Sequence, residues 1–365
     1  METLYSTGDA VPPVSAGFRC QVISKSGLKG QNRGSTPRLT AELSLHPQGP
    51  RLAGTRTAVT PISRRRFLAS LCAATAQGLP GIAFSQNTSP ITRAIPDSAG
   101  SGERLPVIGL GTWITFNVAP APSTEAPLVP VMQTFFDRGG AMVDSSPMYG
   151  YAEDVIGDLI KLTGREKLFS ATKIWTAGKS LGRFQLERSK RLWGVRRFDL
   201  VHIHNMVDWR SHIETLKEMK AAGQLRYIGI TTSHGARHDE MERALTRERF
   251  DFAQFTYNLN DRRVEQRLLP LAADRGIAIV INRPFDGGYL FSGVGDRPLP
   301  AFAREIDCEN WAQFFLKFVV SHPAVTCAIP ATSKIAHLAQ NMGALYGRLP
   351  DADMRKHMAR LMEPA

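Results

Sequence analysis

The stretch Leu168–Asn205, LFSATKIWTAGKSLGRFQLERSKRLWGVRRFDLVHIHN, contains the pattern that decides the fold. It begins with a short apolar run, Leu168–Thr172, continues through a polar, helix-compatible segment and ends in a second apolar run, Leu200–Ile203. This order is typical of two parallel strands joined by a helix. A polar side chain follows each run, Lys173 after the first and His204 after the second. Both are therefore expected at the same edge of a parallel sheet.

The same alternation of strand-like and helix-like segments continues along the chain. Eight apolar runs are the number that a closed (β/α)8 TIM barrel needs. A preceding pair of runs, Ile91–Ile95 and Arg104–Pro106, separated by PDSAGSGE, predicts an N-terminal β-hairpin that closes the bottom of the barrel. The predicted strands are Val107–Leu110, Ala141–Asp144, Leu168–Thr172, Leu200–Ile203, Ile228–Thr231, Phe252–Phe255, Ile277–Ile281 and Val325–Ile329, and the predicted helices include Ala152–Lys161, Phe184–Leu192, Ile213–Ala221, Val264–Ala273 and Trp311–Val319.

Composition separates a basic N-terminal tail from an ordinary body. The chain has 365 residues, 43% of them hydrophobic, and a formal net charge of +12. Residues 1–66 hold ten Lys and Arg against three Asp and Glu, a net of +7, so the rest of the chain carries only +5. The body therefore lacks the charge excess that favours nucleic acid or an anionic membrane as a partner. We assign residues 1–62, rich in Pro, Gly, Ser and Arg, to a disordered basic leader and residues 86–365 to the barrel.

Residues 63–85, between these two regions, resemble a twin-arginine signal peptide. The sequence Ser63-Arg64-Arg65-Arg66-Phe67-Leu68 puts paired arginines before an apolar run that is too short and too interrupted to span a bilayer. The resemblance implies the twin-arginine export machinery as a partner and a periplasmic or exported protein without a stable membrane anchor. The alternative is a chance basic cluster on a disordered arm.

Cysteine usage indicates no metal site. Two cysteines remain outside the leader and signal peptide, Cys308 and Cys327. A single disulfide between them is compatible with an oxidising compartment. Nothing in the spacing requires it, and we favour two buried free thiols.

Four polar side chains lie at or just after predicted strand ends: Asp144 and Tyr149 in VDSSPMYGYAED, Lys173 in ATKIW and His204 in VHIHN. A carbonyl accepts a hydride readily when its oxygen receives a proton or a strong hydrogen bond. Tyr149 is the expected donor. Because a free phenol has a pKa of about 10, we expect Lys173 to lower that pKa, Asp144 to keep Lys173 charged and His204 to orient the carbonyl. Taken singly, the four have structural alternatives as a pocket-rim aromatic, a helix cap, a solvated charge and a core histidine.

From about Ile91 to Tyr346 the chain resembles an aldo-keto reductase. The motifs occur in the family's order: GLGTW at Gly109–Trp113, the segments that hold the four polar residues, IGITTS, QFTYN, and AIPATSKIAHLAQN at Ala328–Asn341. The resemblance implies a (β/α)8 barrel, reduction of a carbonyl compound and a bound nicotinamide cofactor.

The resemblance also implies which residues bind that cofactor. Thr231 and Thr232 stand where the family usually has Ser and Asn at the nicotinamide. Arg283 is a candidate ligand of the pyrophosphate, with an ion pair to Asp286 as the alternative, and Asn282 stands where the family commonly has an aromatic residue. Lys334 favours the 2′-phosphate of NADPH, whereas a neutral His337 leaves NADH possible. The implied cofactor residues are Gly111, Thr112, Thr231, Thr232, Gln254, Arg283, Ser333, Lys334, His337, Gln340 and Asn341.

The sequence thus predicts a monomeric, NADPH-dependent oxidoreductase. Trp113, Trp175 and the loop Ile114–Val129 are expected to wall the pocket, which favours a small apolar or aromatic aldehyde or ketone as the substrate. The alternative is an exported barrel that keeps its nicotinamide cofactor permanently bound and acts as an accessory or sensing subunit, because a fold alone does not fix a function.

Overall fold

Eight parallel strands form the centre of the protein in a computed structural model, which describes residues 89–96 and 102–362. They follow one another in chain order, and backbone hydrogen bonds between the two ends of the sheet close it: Gly109 N donates to Ala328 O at 2.8 Å and Ala328 N to Val107 O at 2.9 Å. This confirms the predicted (β/α)8 barrel. The strands are β1 (Thr92–Ala94), β2 (Arg104–Pro106), β3 (Leu110–Gly111), β4 (Met142–Asp144), β5 (Phe169–Ile174), β6 (Phe198–Ile203), β7 (Leu225–Thr231), β8 (Phe252–Thr256), β9 (Ala278–Asn282) and β10 (Val325–Ala328), of which β3 to β10 form the barrel.

Helices connect most of the barrel strands and pack around them. The main apolar core combines strand residues such as Val143 and Val201 with helix residues such as Ile156 and Leu216. The helices are α1 (Pro122–Glu125), α2 (Val129–Asp137), α3 (Ala152–Thr163), α4 (Lys179–Trp193), α5 (Trp209–Ala221), α6 (His238–Arg247), α7 (Leu268–Asp274), α8 (Tyr289–Val294), α9 (Trp311–Val320), α10 (Ile335–Gly343) and α11 (Ala352–Leu361).

The N-terminal hairpin closes one end of the barrel. β1 and β2 pair antiparallel, and Ile95 and Leu105 join a second apolar cluster with Met142, Phe169 and Phe252. Those three residues begin their strands, so the hairpin covers the amino-terminal ends of the strands. The opposite end, where the strands finish, is left for the polar residues. The turn at residues 97–101, the predicted leader and the predicted signal peptide lie outside the described residues.

Several helices of the structure, among them α2 and α6, are not among those predicted from the sequence. The sequence of α2, VPVMQTFFD, is apolar almost throughout, and that of α6, HDEMERALTR, is mostly charged. An apolar segment such as α2 does not by itself distinguish a helix from a buried strand. Helix α6 could have been predicted, because its buried residues Met241, Ala244 and Leu245 have the spacing of one helix face. Tertiary packing holds both in place, since α2 packs against α3 and α10 and α6 packs against α7.

Three further features concern the described residues. None of their helices is both long and apolar enough to cross a bilayer. Cys308 and Cys327 are buried and not bonded to each other, as the sequence favours. Across residues 89–96 and 102–362, no group of three or more His, Cys, Asp or Glu side chains is arranged to hold a metal ion.

Candidate active site

The four polar residues singled out from the sequence meet at the carboxyl ends of neighbouring strands. Asp144 is the last residue of β4, and Lys173 lies near the end of β5. His204 follows β6 directly, and Tyr149 lies on the loop between β4 and α3. In barrels of this type the carboxyl ends of the strands carry the catalytic groups.

Lys173 and Asp144 form an ion pair inside the barrel. The Lys173 side chain is fully buried and that of Asp144 is 2% exposed. Lys173 Nζ also donates to Ser145 O at 2.8 Å, and the second oxygen of Asp144 accepts from Gln254 Nε2 at 3.1 Å. Burial acts to lower the pKa of Lys173, but Asp144 and Tyr149 raise it above its usual value. The ammonium therefore stays charged at neutral pH.

Tyr149 lies beside both Lys173 and His204. Lys173 Nζ is 5.3 Å from the centroid of the phenol ring, and the His204 ring meets it edge to face at 5.7 Å between centroids. Burial raises the pKa of Tyr149, and the Lys173 charge opposes that rise. The net direction is the opposite of the one expected from the sequence, because desolvation outweighs the lysine. The phenol consequently holds its proton at neutral pH.

His204 is a neutral imidazole. Its Nδ1 lies 2.9 Å from Ser146 Oγ. Burial and, after it, the Lys173 charge lower the pKa of His204 to about 3. His202, two residues earlier on β6, is fully buried, and neither of its ring nitrogens has a hydrogen-bond partner among the described residues. Burial also lowers the pKa of His202 well below its usual value.

A cavity of about 850 Å³ opens at this end of the barrel. All the site residues predicted from the sequence line it, except Lys173, Thr232, Ser333 and Lys334. Lys173 lies behind the cavity wall, paired with Asp144. The cavity also has lining residues that the sequence did not indicate, among them Asn205, Ser233 and His234.

The two threonines at the end of β7, Thr231 on the strand and Thr232 just after it, have different surroundings. Thr231 lines the cavity, and its Oγ1 accepts a hydrogen bond from Asn205 N at 2.9 Å. Thr232 is buried, and its hydroxyl donates to Ala236 O at 2.7 Å. Asn205 could have been found from the sequence, since it immediately follows His204. Its side chain lies close to Ser233, with a hydrogen bond of 3.3 Å.

Arg283 lines the cavity just after β9. Its Nη1 lies 3.0 Å from His234 Nε2, and its Nη2 lies 3.4 Å from Asp286 Oδ1. The ion pair with Asp286, an alternative raised by the sequence, is thus present, although at the long end of the range. The Asn282 side-chain amide donates to Thr232 O at 2.9 Å, so the cavity wall is polar at this position.

The carboxyl-terminal segment forms the far end of the cavity. Thr332, His337, Gln340 and Asn341 line it, whereas Ser333 and Lys334 are exposed outside it. Lys334 is the residue that precedes helix α10, and its backbone N–H donates to Thr332 Oγ1 at 3.1 Å.

The structure confirms only part of the apolar cavity wall that the sequence predicted. Trp113, Ile114 and Met148 line the cavity. Trp175 does not, because the loop after β5 is held elsewhere: the Gln185 side chain accepts from Trp175 N at 2.6 Å and donates to Trp175 O at 3.2 Å.

Comparisons with known proteins identify the family. A profile of the Aldo/keto reductase family matches residues 107–359. The chain is 27% identical over 279 residues to the "Probable aldo-keto reductase 1" of Glycine max, which covers 64% of this chain and 79% of that protein. It is 24% identical over 315 residues to the NADH-specific methylglyoxal reductase of Escherichia coli K12, which covers 70% and 95% of the two chains.

A solved structure agrees with these relatives. The aldo/keto reductase from Klebsiella pneumoniae, in complex with NADP and acetate, superposes with a TM-score of 0.62 at 27% identity, covering 73% of this chain and 94% of that one. The family profile extends over more than half of the sequence. The chain therefore belongs to the aldo/keto reductase family.

Proposed function

We propose that this protein reduces aldehydes or ketones to alcohols with NADPH, and that Tyr149 donates the proton. One observation carries the proposal: a protonated phenol lies on the cavity wall between a buried Lys173–Asp144 ion pair and a neutral His204. A proton donor must hold its proton at the working pH and be able to release it in the transition state. Burial provides the first property, and the Lys173 charge provides the second.

The residues present suit a nicotinamide dinucleotide. A cavity of about 850 Å³ is at the large end of the range for small-molecule sites. Its inner wall offers hydroxyl and amide groups from Thr231, Gln254 and Asn282. Farther out, the Nε of Arg283 is buried without a hydrogen-bond partner among the described residues. An unpaired guanidinium donor stabilises an anionic group such as a phosphate.

The reaction then follows from the positions of the side chains. The bound cofactor supplies the hydride. Tyr149 passes its phenolic proton to the carbonyl oxygen, and the Lys173 ammonium stabilises the phenolate that remains. Asp144 keeps Lys173 charged and fixed in place, and Gln254 holds Asp144. His204 has its Nδ1 engaged with Ser146, which leaves Nε2 to orient the carbonyl oxygen.

NADPH is the preferred cofactor in this proposal, and NADH is the second choice. The exposed Lys334 next to α10 supplies a cation for a 2′-phosphate. His337 lines the cavity instead of a permanently charged arginine, which keeps NADH in consideration. One relative is named as NADH-specific, and one structural neighbour binds NADP.

Substrate and location complete the proposal. Trp113, Ile114 and Met148 give the inner cavity an apolar side, which favours small apolar or aromatic carbonyl compounds. We also propose export by the twin-arginine route, on the evidence of Ser63-Arg64-Arg65-Arg66-Phe67-Leu68. The relatives that match are named as reductases, so an accessory, non-enzymatic role has no support among them.

The test is NADPH oxidation by the full-length chain with a panel of aromatic aldehydes and ketones. We expect Tyr149→Phe to lower kcat by roughly two to four orders of magnitude, because general acid catalysis contributes that much. NADPH binding, followed by fluorescence, should survive the change. Tyr151→Phe is the matched control, since Tyr151 is 53% exposed two residues away and does not line the cavity. A Tyr149→Phe enzyme that kept more than about a tenth of the wild-type kcat would exclude Tyr149 as the donor.

A further inference from the structure

A chain of hydrogen bonds crosses the outer part of the cavity. Arg283 Nη1 lies 3.0 Å from His234 Nε2, His234 Nδ1 lies 3.0 Å from Ser233 Oγ, and Ser233 Oγ donates to Asn205 Oδ1 at 3.3 Å. Since a guanidinium can only donate, His234 Nε2 must accept. The His234 proton is then on Nδ1, where it is donated to Ser233. The chain is consistent only with a neutral His234.

The neighbours of Arg283 balance its positive charge only in part. One of its donors meets a neutral imidazole, another meets Asp286 at 3.4 Å, and its Nε has no partner among the described residues. A well-paired arginine instead makes two parallel bonds of about 2.7–2.9 Å to a carboxylate. Asp286 is shared as well, because its other oxygen accepts from Asn260 Nδ2 at 3.2 Å. Arg283 therefore keeps donors available for an anion in the cavity.

The backbone of Arg283 and of His234 is in an unfavourable conformation. Arg283 has a φ of 50° and His234 a φ of 59°, a region that residues other than glycine rarely adopt. Arg283 also precedes a proline, which disfavours helical backbone angles further. Asn258 Nδ2 donates to Arg283 O at 3.0 Å, and His234 N donates to Thr256 Oγ1 at 3.0 Å. Strain that is fixed from several sides is typical of ligand-binding positions.

We propose that His234 and Arg283 together bind the pyrophosphate of the cofactor, and that His234 takes up a proton when the cofactor binds. The proposal rests on the proposed function for the identity of the ligand and adds a binding residue and a proton linkage to it. Protonation at Nε2 ends the bond that His234 accepts from Arg283. Both side chains then donate to the anion that lies between or beside them.

The charges around His234 make this linkage feasible. Desolvation and the Arg283 charge lower the pKa of His234, and Asp286 opposes them. The next charged groups, Asp261 and Arg263, lie against the neighbouring Gly235 and neutralise each other in an ion pair of 2.7 Å. An added pyrophosphate is negative and would raise the pKa of His234. Because His234 is exposed at the cavity mouth, a proton can reach it from solvent.

The sign of the pH dependence follows. The free protein has a His234 pKa below the ordinary value of about 6.5, and the complex has a higher one. Between those two pKa values the complex binds a proton that the free protein does not bind. Cofactor affinity therefore increases as the pH falls through the pKa of the complex, and it levels off below the pKa of the free protein.

The experiment is calorimetric titration of NADPH into the full-length chain in two buffers of different ionisation enthalpy, from about pH 5.5 to 8, around the ordinary pKa of histidine. The difference between buffers gives the number of protons taken up. NADH is titrated in parallel, because its pyrophosphate has no group that ionises in this range, unlike the 2′-phosphate of NADPH, with a pKa near 6. His234→Gln keeps an acceptor for Arg283 but cannot be protonated. His238→Gln is the matched control, since His238 also has a lowered pKa but does not line the cavity.

We expect His234→Gln to abolish most of the proton uptake with NADH and to flatten the pH dependence, while His238→Gln leaves both unchanged. Arg283→Gln should weaken either dinucleotide by ~10- to 100-fold, the usual value of a charge-assisted hydrogen bond. Equal proton uptake by wild type and His234→Gln, with dinucleotide still bound, would overturn the linkage. Unchanged dinucleotide affinity in Arg283→Gln would overturn the proposal that Arg283 and His234 bind the pyrophosphate together. Failure of the wild type to bind either dinucleotide would instead overturn the proposed function.

Discussion

Burial keeps two histidines near Lys173 neutral, and the positive charge that Lys173 brings into the barrel adds to that effect. Burial and the Lys173 charge both lower the pKa values of His202 and His204. Asp144 is the carboxylate that pairs with Lys173. A protonated histidine next to this ion pair would repel the Lys173 ammonium and compete with it for Asp144. The chemistry proposed for Tyr149 therefore requires that the imidazoles remain uncharged.

The low pKa of His204 predicts acid sensitivity. The folded value is about 3 and the ordinary value of an unfolded chain is about 6.5. Between these values the unfolded state binds a proton that the folded state does not, so this contribution is complete above about pH 6.5 and is lost as the pH falls. The unfolding free energy of wild type should therefore fall between about pH 7 and 4. We expect this fall, measured by urea unfolding, to be smaller in His204→Gln by on the order of 3 kcal/mol. A decline in the variant parallel to that of wild type would contradict this.

Residue type and strand-end position were enough to bring Asp144, Lys173 and His204 together in a sequence-based prediction. The same signals could not find His234 or the direction of the Thr232 hydroxyl. Both depend on loop backbone angles, and His234 has a positive φ without being glycine. No local sequence rule predicts such an angle, because the surrounding loops impose it.

The contact between helices α3 and α4 shows how the elements around β5 are held together. Buried Glu153 on α3 accepts hydrogen bonds from Thr172 on β5 at 2.6 Å, from Ser189 on α4 at 2.8 Å and from Trp193 at 3.2 Å. One side chain thus joins both helices to the strand that carries Lys173. A close approach of the helix backbones makes this arrangement possible, and it depends on Gly157.

Gly157→Ala is predicted to destabilise the protein. A Cβ at this position would lie 1.8 Å from the carbonyl oxygen of Leu192, so the two helices would have to move apart. We expect a loss of about 2 kcal/mol in unfolding free energy, within the usual cost of overpacking, observed as a lower thermal midpoint. Gly293→Ala on α8 is the control, because an added Cβ there meets nothing within 4 Å. It should be neutral or slightly stabilising, since alanine favours a helix over glycine. Equal midpoints for Gly157→Ala and wild type would show that the helices can separate without cost.

Among the secondary-structure elements, strands were predicted best. Each predicted barrel strand overlaps an observed one because fully buried parallel strands are short apolar runs between polar segments. Helix α2 was missed because its sequence is apolar almost throughout, whereas α6 was missed although Met241, Ala244 and Leu245 have the spacing of one helix face. Their positions are determined by the neighbouring helices that they pack against, which a local pattern does not contain.

For the whole molecule, the closed barrel leaves a single end available for chemistry. At the other end, the hairpin is fixed to the barrel by Glu103, which pairs with Arg226 and accepts from Tyr227 Oη at 2.7 Å. The site is thus formed only when all eight strands are in register. A cofactor taken up by this cavity would therefore bind after the barrel has folded. Under the twin-arginine export proposed above, the chain would cross the membrane folded, with the site already formed.

Replacement of Arg64 and Arg65 by lysine tests this route. A planar guanidinium makes paired hydrogen bonds that an ammonium cannot reproduce, so the double substitution should block recognition although the charge is unchanged. We expect wild type expressed in a bacterium to appear in the periplasmic fraction and Arg64→Lys/Arg65→Lys to remain in the cytoplasm, followed by immunoblotting of separated fractions. Arg66→Lys keeps the arginine pair and should be exported normally. Equal distribution of wild type and the double variant would mean that the arginines are a basic cluster and not an export signal. Retained NADPH oxidation in the cytoplasmic double variant would show that the barrel folds without crossing the membrane.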